Sequence, residues 1–244
     1  MKEIIGMIHL AGRSRREKSY NALKELEIYQ NNNLDGVIIE NYFRDTSLED
    51  LMACTVEIIR KITVEPSITR VGVNILPNNY EWAFELAEWL SPYGRGFIQL
   101  DHVAGKYNFT NFITQNRENY SAVRFQHPNI KVYGGVWPKH YIPIDGSNLK
   151  DDLREGMKLC DAIVVTGKRT GEETPIGKIK EFREIIGNKQ LIIGAGLNNY
   201  NAREQLAIAD GAIVGSYFKI GGNIDGNLDE RRIKEIMSIA KEFK

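Results

Sequence analysis

Acid–base side chains stand just past the ends of several short apolar runs in this 244-residue sequence. His9 closes the first run, Glu40-Asn41 the second and Asn74 the third, followed by Asp101-His102, Lys139-His140 and Thr166-Gly167. Imidazoles near neutrality pass protons in both directions, and a carboxyl group behind apolar neighbours holds its proton to higher pH. Glu40, preceded by Ile38 and Ile39, is therefore read as a base and His140 as its acid partner. His9, Asp101, His102 and Lys139 complete the catalytic set. Asn41 and Asn74 would orient hydroxyls, with Thr166 and Gly167 beside the substrate. For any single histidine, capping a strand and bonding a neighbouring loop is an equally good explanation. Lys139, if desolvated, could form a Schiff base, although a solvated or salt-bridged lysine is the safer reading.

Two further segments have a different chemistry. Gly194-Ala195-Gly196-Leu197 and Gly211-Ala212-Ile213-Val214-Gly215-Ser216 place small residues where backbone N–H groups can approach an anion. A helix N-terminus after each would add a favourable dipole. Gly194, Ala195, Gly196, Gly215 and Ser216 are the expected phosphate-binding positions. Tight turns alone would also account for the glycines. Lys219 could add charge or face solvent. Arg13, Arg15, Arg16 and Lys18 form a basic run read as a loop, which could clamp an anion but more commonly is solvated.

The elements that must position these groups follow from periodicity. Apolar runs of about five residues begin near Ile4, Gly36, Arg70, Gly96, Val132, Asp161, Leu191 and Gly211. Their starts lie 20 to 36 residues apart, enough for one crossover helix each, so the strands should be parallel. The intervening segments carry helical spacing, as in Leu48, Leu51, Met52, Val56 and Ile59. Ser47 with Asp50 and Asn227 with Glu230 resemble capping boxes, and Thr174 before Pro175 an N-cap before a first-turn proline. The last helix should span roughly 230–243. Eight β-then-α units without a linker match a single (β/α)8 TIM barrel over 1–244, of the phosphate-binding, ribulose-phosphate-barrel-like type, with chemistry at the carboxyl ends of the strands. The dinucleotide fingerprint fails because Asn199 replaces its third glycine. The Walker loop fails because Gly171 to Gly177-Lys178 has one residue too many and continues with Ile179.

Composition narrows the function classes. Lys+Arg and Asp+Glu are both 32, so no broad field favours nucleic acid or anionic lipid. No apolar run reaches the length of a membrane span, and charges follow the first apolar stretch rather than precede it, so a cytoplasmic protein is expected. Cys54 and Cys160 read as buried free thiols. His9, Glu40, Asp101 and His140 are donors that Zn²⁺ or Mn²⁺ could use, yet no metal-binding spacing occurs, and no cofactor is required. Trp82, Trp89 and the cluster Tyr107–Phe112 suggest a homo-oligomer or, equally, burial within the fold.

The sequence also resembles the BtpA/SgcQ family. The resemblance runs through Gly6-Met7-Ile8-His9-Leu10, Asp35-Gly36-Val37-Ile38-Ile39-Glu40-Asn41, Val71-Gly72-Val73-Asn74-Ile75-Leu76, and Val164-Val165-Thr166-Gly167 with Thr170-Gly171-Glu172. It continues through Ala209-Asp210-Gly211-Ala212-Ile213-Val214-Gly215-Ser216 and Lys219, and Lys139-His140 resembles a Lys-His pair of that family. The resemblance implies a phosphate-binding TIM-type barrel without a settled reaction. Some members are linked to photosystem I biogenesis, and others occur beside carbohydrate-uptake and sugar-metabolism genes. Ala11-Gly12-Arg13-Ser14 departs from a proline-rich family pattern, and Lys168-Arg169 from smaller residues. The expected function is thus an enzyme acting on a small phosphorylated metabolite by isomerisation, epimerisation or aldol-type chemistry. The alternative is a non-catalytic assembly or regulatory factor that binds a phosphorylated ligand or a protein.

Overall fold

The computed structural model describes residues 1–42, 45–64, 69–90, 96–108 and 117–243. The β-branched runs form parallel strands β1 (Glu3–Ile8), β2 (Gly36–Glu40), β3 (Arg70–Asn74), β4 (Gly96–Leu100), β5 (Lys131–Gly135), β6 (Ala162–Val165), β7 (Gln190–Ile193) and β8 (Gly211–Val214). They hydrogen-bond in chain order, and β8 pairs with β1 to close a barrel. The helices α1 (Arg15–Asn31), α2 (Leu48–Val64), α3 (Tyr80–Leu90), α4 (Arg117–Gln126), α5 (Leu149–Leu159), α6 (Ile176–Ile186), α7 (Ala202–Ile208) and α8 (Glu230–Glu242) follow the strands in turn. The chain is a (β/α)8 barrel.

Two apolar cores result from the alternation of side chains along each strand. One lies between strands and helices. The other contains only strand residues, Ile5, Met7, Ile38, Phe97, Tyr133, Ala162, Val164, Ile192 and Ile213, and fills the barrel. Gly72 is needed there, since a Cβ would lie 2.5 Å from the Phe97 ring. At the amino end of the barrel, Glu3 ion-pairs with Arg70 and accepts bonds from Tyr133 (2.8 Å) and Gln190 (2.7 Å), which knits four strands together away from the chemistry.

Several local expectations need correction. The basic run is a loop only at Arg13: Ser14 caps α1, accepting from the Glu17 N–H, and Arg15, Arg16 and Lys18 lie in the helix. Lys18 is buried and bonds both Asp50 (2.9 Å) and the Asp45 carbonyl (2.9 Å), while Arg15 pairs with Asp50 at 2.9 Å. Asp50 at the acidic start of α2 thus takes up the charges of Arg15 and Lys18. Pro175, not Thr174, stands at the N-cap of α6, because the Thr174 hydroxyl is committed to the Ala195 carbonyl (2.9 Å). Asp229 replaces Asn227 as the cap of α8. The Ser47–Asp50 box does form, with reciprocal bonds of 3.2 and 3.4 Å. Both cysteines are buried and free.

No helix of the described residues is long and apolar enough to cross a membrane. Trp82 and Trp89 are partly exposed on α3. Of the cluster Tyr107–Phe112, residues 109–112 lie outside the described residues.

Candidate active site

Alternation along β2 and β3 turns Glu40 and Asn74 inward as ladder partners at the carboxyl end of the barrel. The Asn74 Nδ2 donates to Glu40 Oε1 at 2.7 Å and, more weakly, to Asp101 Oδ1 at 3.4 Å. Asp101 also accepts from the Tyr141 hydroxyl at 3.0 Å. Burial pushes the Glu40 carboxyl up to about 7; the Asp101 charge adds to this, while Lys139 and the Asn74 bond oppose it.

His9 lies one residue beyond β1, buried, with the Tyr42 ring edge-on at 5.4 Å. Burial, then the charges of Lys219 and Lys139, bring its pKa down to about 3, so the imidazole is neutral at physiological pH. Its Nδ1 has no partner among the described residues.

Met7, His9, Glu40, Tyr42, Gln99 and Lys139 line one cavity together with Thr170, Gly171, Gly194–Leu197 and Ile213–Tyr217. The structure therefore brings the glycine segments and Glu40 to one hollow. Gly196 has a φ of +68°, and a Cβ there would lie 2.2 Å from the Glu172 carbonyl, so close approach of two loops requires glycine. The Gly194 N–H is already spent on the Val165 carbonyl (2.7 Å), while the N–H groups of Ala195, Gly196 and Ser216 have no acceptor among the described residues. The anticipated helix dipoles are also weaker than expected: α7 begins only at Ala202, and β8 runs into short 3₁₀ turns at Ser216–Phe218 and Ile220–Gly222.

Other sequence-chosen residues support the cavity from behind. The Asn41 amide brackets Leu76, donating to its carbonyl (3.1 Å) and accepting from its N–H (2.7 Å). Thr166 accepts from the Lys139 N–H at 2.6 Å, and Gly167 packs against the backbone of Glu173. His102 is buried between Tyr107 and Tyr141, at ring separations of 5.2 and 5.1 Å, with its backbone held by Asn78. His140 is exposed, has a φ of +69°, and its Nε2 lies 3.3 Å from the Thr170 hydroxyl. It does not line the cavity; its neighbour Lys139 does. A backbone turn that sends adjacent side chains in different directions is invisible to a motif.

Sequence reasoning missed Gln99, Tyr42, Thr170 and Gly171 in the lining, and Lys178 behind it. Lys178 on α6 donates to the Trp137 and Thr166 carbonyls, both at 2.9 Å, and burial lowers its pKa to about 8. Lys219 neither faces solvent nor lines the cavity: it is 1% exposed and ion-paired with Glu25 of α1. Among the described residues, no three His, Cys, Asp or Glu side chains converge as a metal site would require.

The sequence profile of the BtpA family matches residues 1–242, and the chain belongs to that family. An uncharacterized protein of Methanocaldococcus jannaschii is 30% identical over all of this chain and 97% of its own length. The photosystem I biogenesis protein BtpA of Synechocystis is 23% identical over 86% of this chain and 75% of that protein. Among solved structures, phosphoribosyl anthranilate isomerase from Thermus thermophilus superposes with a TM-score of 0.65 at 12% identity, covering 99% of this chain and all of that one. 3-Hexulose-6-phosphate synthase from Salmonella typhimurium gives 0.62 at 13%, with both chains fully covered. These likenesses define the fold.

Proposed function

We propose that the protein is an enzyme acting on a small phosphorylated metabolite, a sugar phosphate or a related compound, by acid–base isomerisation, epimerisation or aldol-type chemistry. The observation that carries this reading is a buried carboxyl group poised near neutrality in the same cavity as backbone amides after β7 and β8. Both structural neighbours named above have phosphorylated compounds in their names.

The phosphate is seated on the amides of Ala195, Gly196 and Ser216, with the Ser216 hydroxyl beside them. Gly215 and Gly194 keep that end of the cavity open. Glu40, ionised, takes a proton from the carbon next to a carbonyl, and the electron pair moves onto the carbonyl oxygen. The Lys139 ammonium stabilises that oxyanion, and neutral His9 can hydrogen-bond to it without needing a charge. Return of the proton to the opposite face of the same carbon gives an epimer; return to the former carbonyl carbon, with the proton of the adjacent hydroxyl passing to the oxyanion so that the adjacent carbon becomes the new carbonyl, gives an isomer. Lys139 replaces His140 as the partner of Glu40 in this reading because it, not His140, lines the cavity. Asp101 and Asn74 set the proton affinity of Glu40 from behind. No metal or cofactor is assigned a role in these steps.

The test is proton exchange in heavy water with a panel of phosphorylated aldoses and ketoses. The reading expects deuterium at a carbon next to the carbonyl with the wild type, none with Glu40→Gln, and equal affinity of both for inorganic phosphate. Exchange undiminished in Glu40→Gln contradicts it. A second reading, a binding or assembly factor, draws on the name of the Synechocystis relative. Phosphate-ester binding with no exchange and no turnover across the panel would favour it.

A further inference from the structure

Gln99 sits on β4 opposite Tyr133, two residues past Phe97 of the apolar barrel filling and two before Asp101. Residues two apart on a strand share a face, so Gln99 forms the first polar tier above the plug, the floor of the cavity. Its Oε1 is buried and unpartnered, and no described residue bonds its amide. The Asn74 Oδ1 is in the same state, its orientation fixed because the Nδ2 faces two carboxyl groups. Buried polar atoms left unpaired destabilise a fold unless something else bonds them.

The Asn74 Oδ1 lies behind the lining, whereas Gln99 lines the cavity with a carboxamide that can turn either its acceptor oxygen or its NH2 donor toward a ligand. A hydroxyl group, donor and acceptor at once, suits either end, whereas an alkyl or aryl chain would leave the amide unpaired. We infer that Gln99 is a specificity-determining residue that takes a hydroxyl of the bound compound's carbon chain, so the ligand is a polyhydroxylated phosphate ester rather than an alkyl or aryl phosphate. This rests on the phosphate-binding reading above and refines its substrate class.

Calorimetric titration of the wild type and Gln99→Met with inorganic phosphate, glycerol 3-phosphate, ribose 5-phosphate, propyl phosphate and pentyl phosphate tests the assignment. Met keeps the length of the side chain and removes its polar atoms. The wild type should bind a hydroxylated ester about tenfold or more tighter than the alkyl ester of equal chain length, the value of one good hydrogen bond. Gln99→Met should lose most of that preference, bind inorganic phosphate as before, and melt no lower than the wild type. A wild type without the preference, or a preference surviving in Gln99→Met, overturns the role of Gln99 while leaving the phosphate site standing. A lower melting temperature together with lost phosphate binding would mark Gln99 as structural and equally overturn it. Failure of inorganic phosphate and every ester to bind the wild type overturns the phosphate site itself, and this inference with it.

Discussion

The side-chain amide of Asn74 bridges two carboxyl groups, lying 2.7 Å from Glu40 and 3.4 Å from Asp101. Its N–H bonds favour the ionised form of Glu40, against burial and the nearby Asp101 charge. Replacing Asn74 by Leu should therefore raise the proton affinity of Glu40 further. Carbon-13 titration of the Glu40 carboxyl should show a midpoint above the wild-type value near 7. A midpoint that falls would contradict the arrangement.

Glu40 also ties stability to pH. Its folded pKa of about 7 lies above the ordinary 4.5, so the native state holds a proton that the unfolded chain releases between these values. The Glu40 contribution to stability should fall as pH rises through that window, by on the order of 3 kcal/mol. Denaturant unfolding of Glu40→Gln should lack that component, and its advantage over the wild type should be larger at pH 8 than at pH 4.5.

His9 works in the opposite sense. Its folded pKa of about 3 is below the ordinary 6.5, so its contribution is present above pH 6.5 and is lost as pH falls toward 3. Between pH 7 and 4 the wild type should lose on the order of 3 kcal/mol more than His9→Asn. Parallel unfolding curves for both proteins over that range would refute a buried neutral His9.

Lys219 depends on Glu25. With Lys219 only 1% exposed, Glu25→Ala strands a buried ammonium, and about 3–5 kcal/mol of stability should go with it. Lys219→Met with Glu25→Leu should recover most of the loss, measured by urea unfolding.

Lys178 fixes the ends of β5 and β6 through the Trp137 and Thr166 carbonyls, and Thr166 in turn holds the Lys139 backbone. Lys178→Met leaves two part-buried carbonyls without their donor, at about 1 kcal/mol each. It should lower kcat in a Glu40-dependent exchange assay more than it raises KM, since Lys139 is displaced while the amides after β7 and β8 stay in place.

The barrel was legible because its signal is repeated. Eight β-branched runs separated by helix-length segments fix strand type and order, and inward-facing positions at strand ends follow from a period of two. That logic located Glu40, Asn74 and His9. It failed where position depends on loop geometry. His140 and Lys139 are adjacent, and only a left-handed backbone at His140 separates their directions. Asn41 and Thr166 stand where substrate contacts are expected, but nearby backbone groups needed their hydrogen bonds more. Gln99 was hidden for another reason: inside a strand, an amide reads as one polar residue among many, and its lack of partners emerges only when the barrel is closed. Arg15 and Lys18 were obscured by a cap, Ser14, whose role depended on where the helix began.

One cavity is proposed to hold a phosphate on the amides after β7 and β8 with the reacting carbon against Glu40. A crystal structure of the Glu40→Gln protein soaked with ribose 5-phosphate decides this. The phosphoryl oxygens should lie on the Ala195, Gly196 and Ser216 amides, with the carbon chain running between residue 40 and Lys139. A ligand bound elsewhere, or with its phosphate at the Lys139 end and its carbon chain against the glycines, would contradict it.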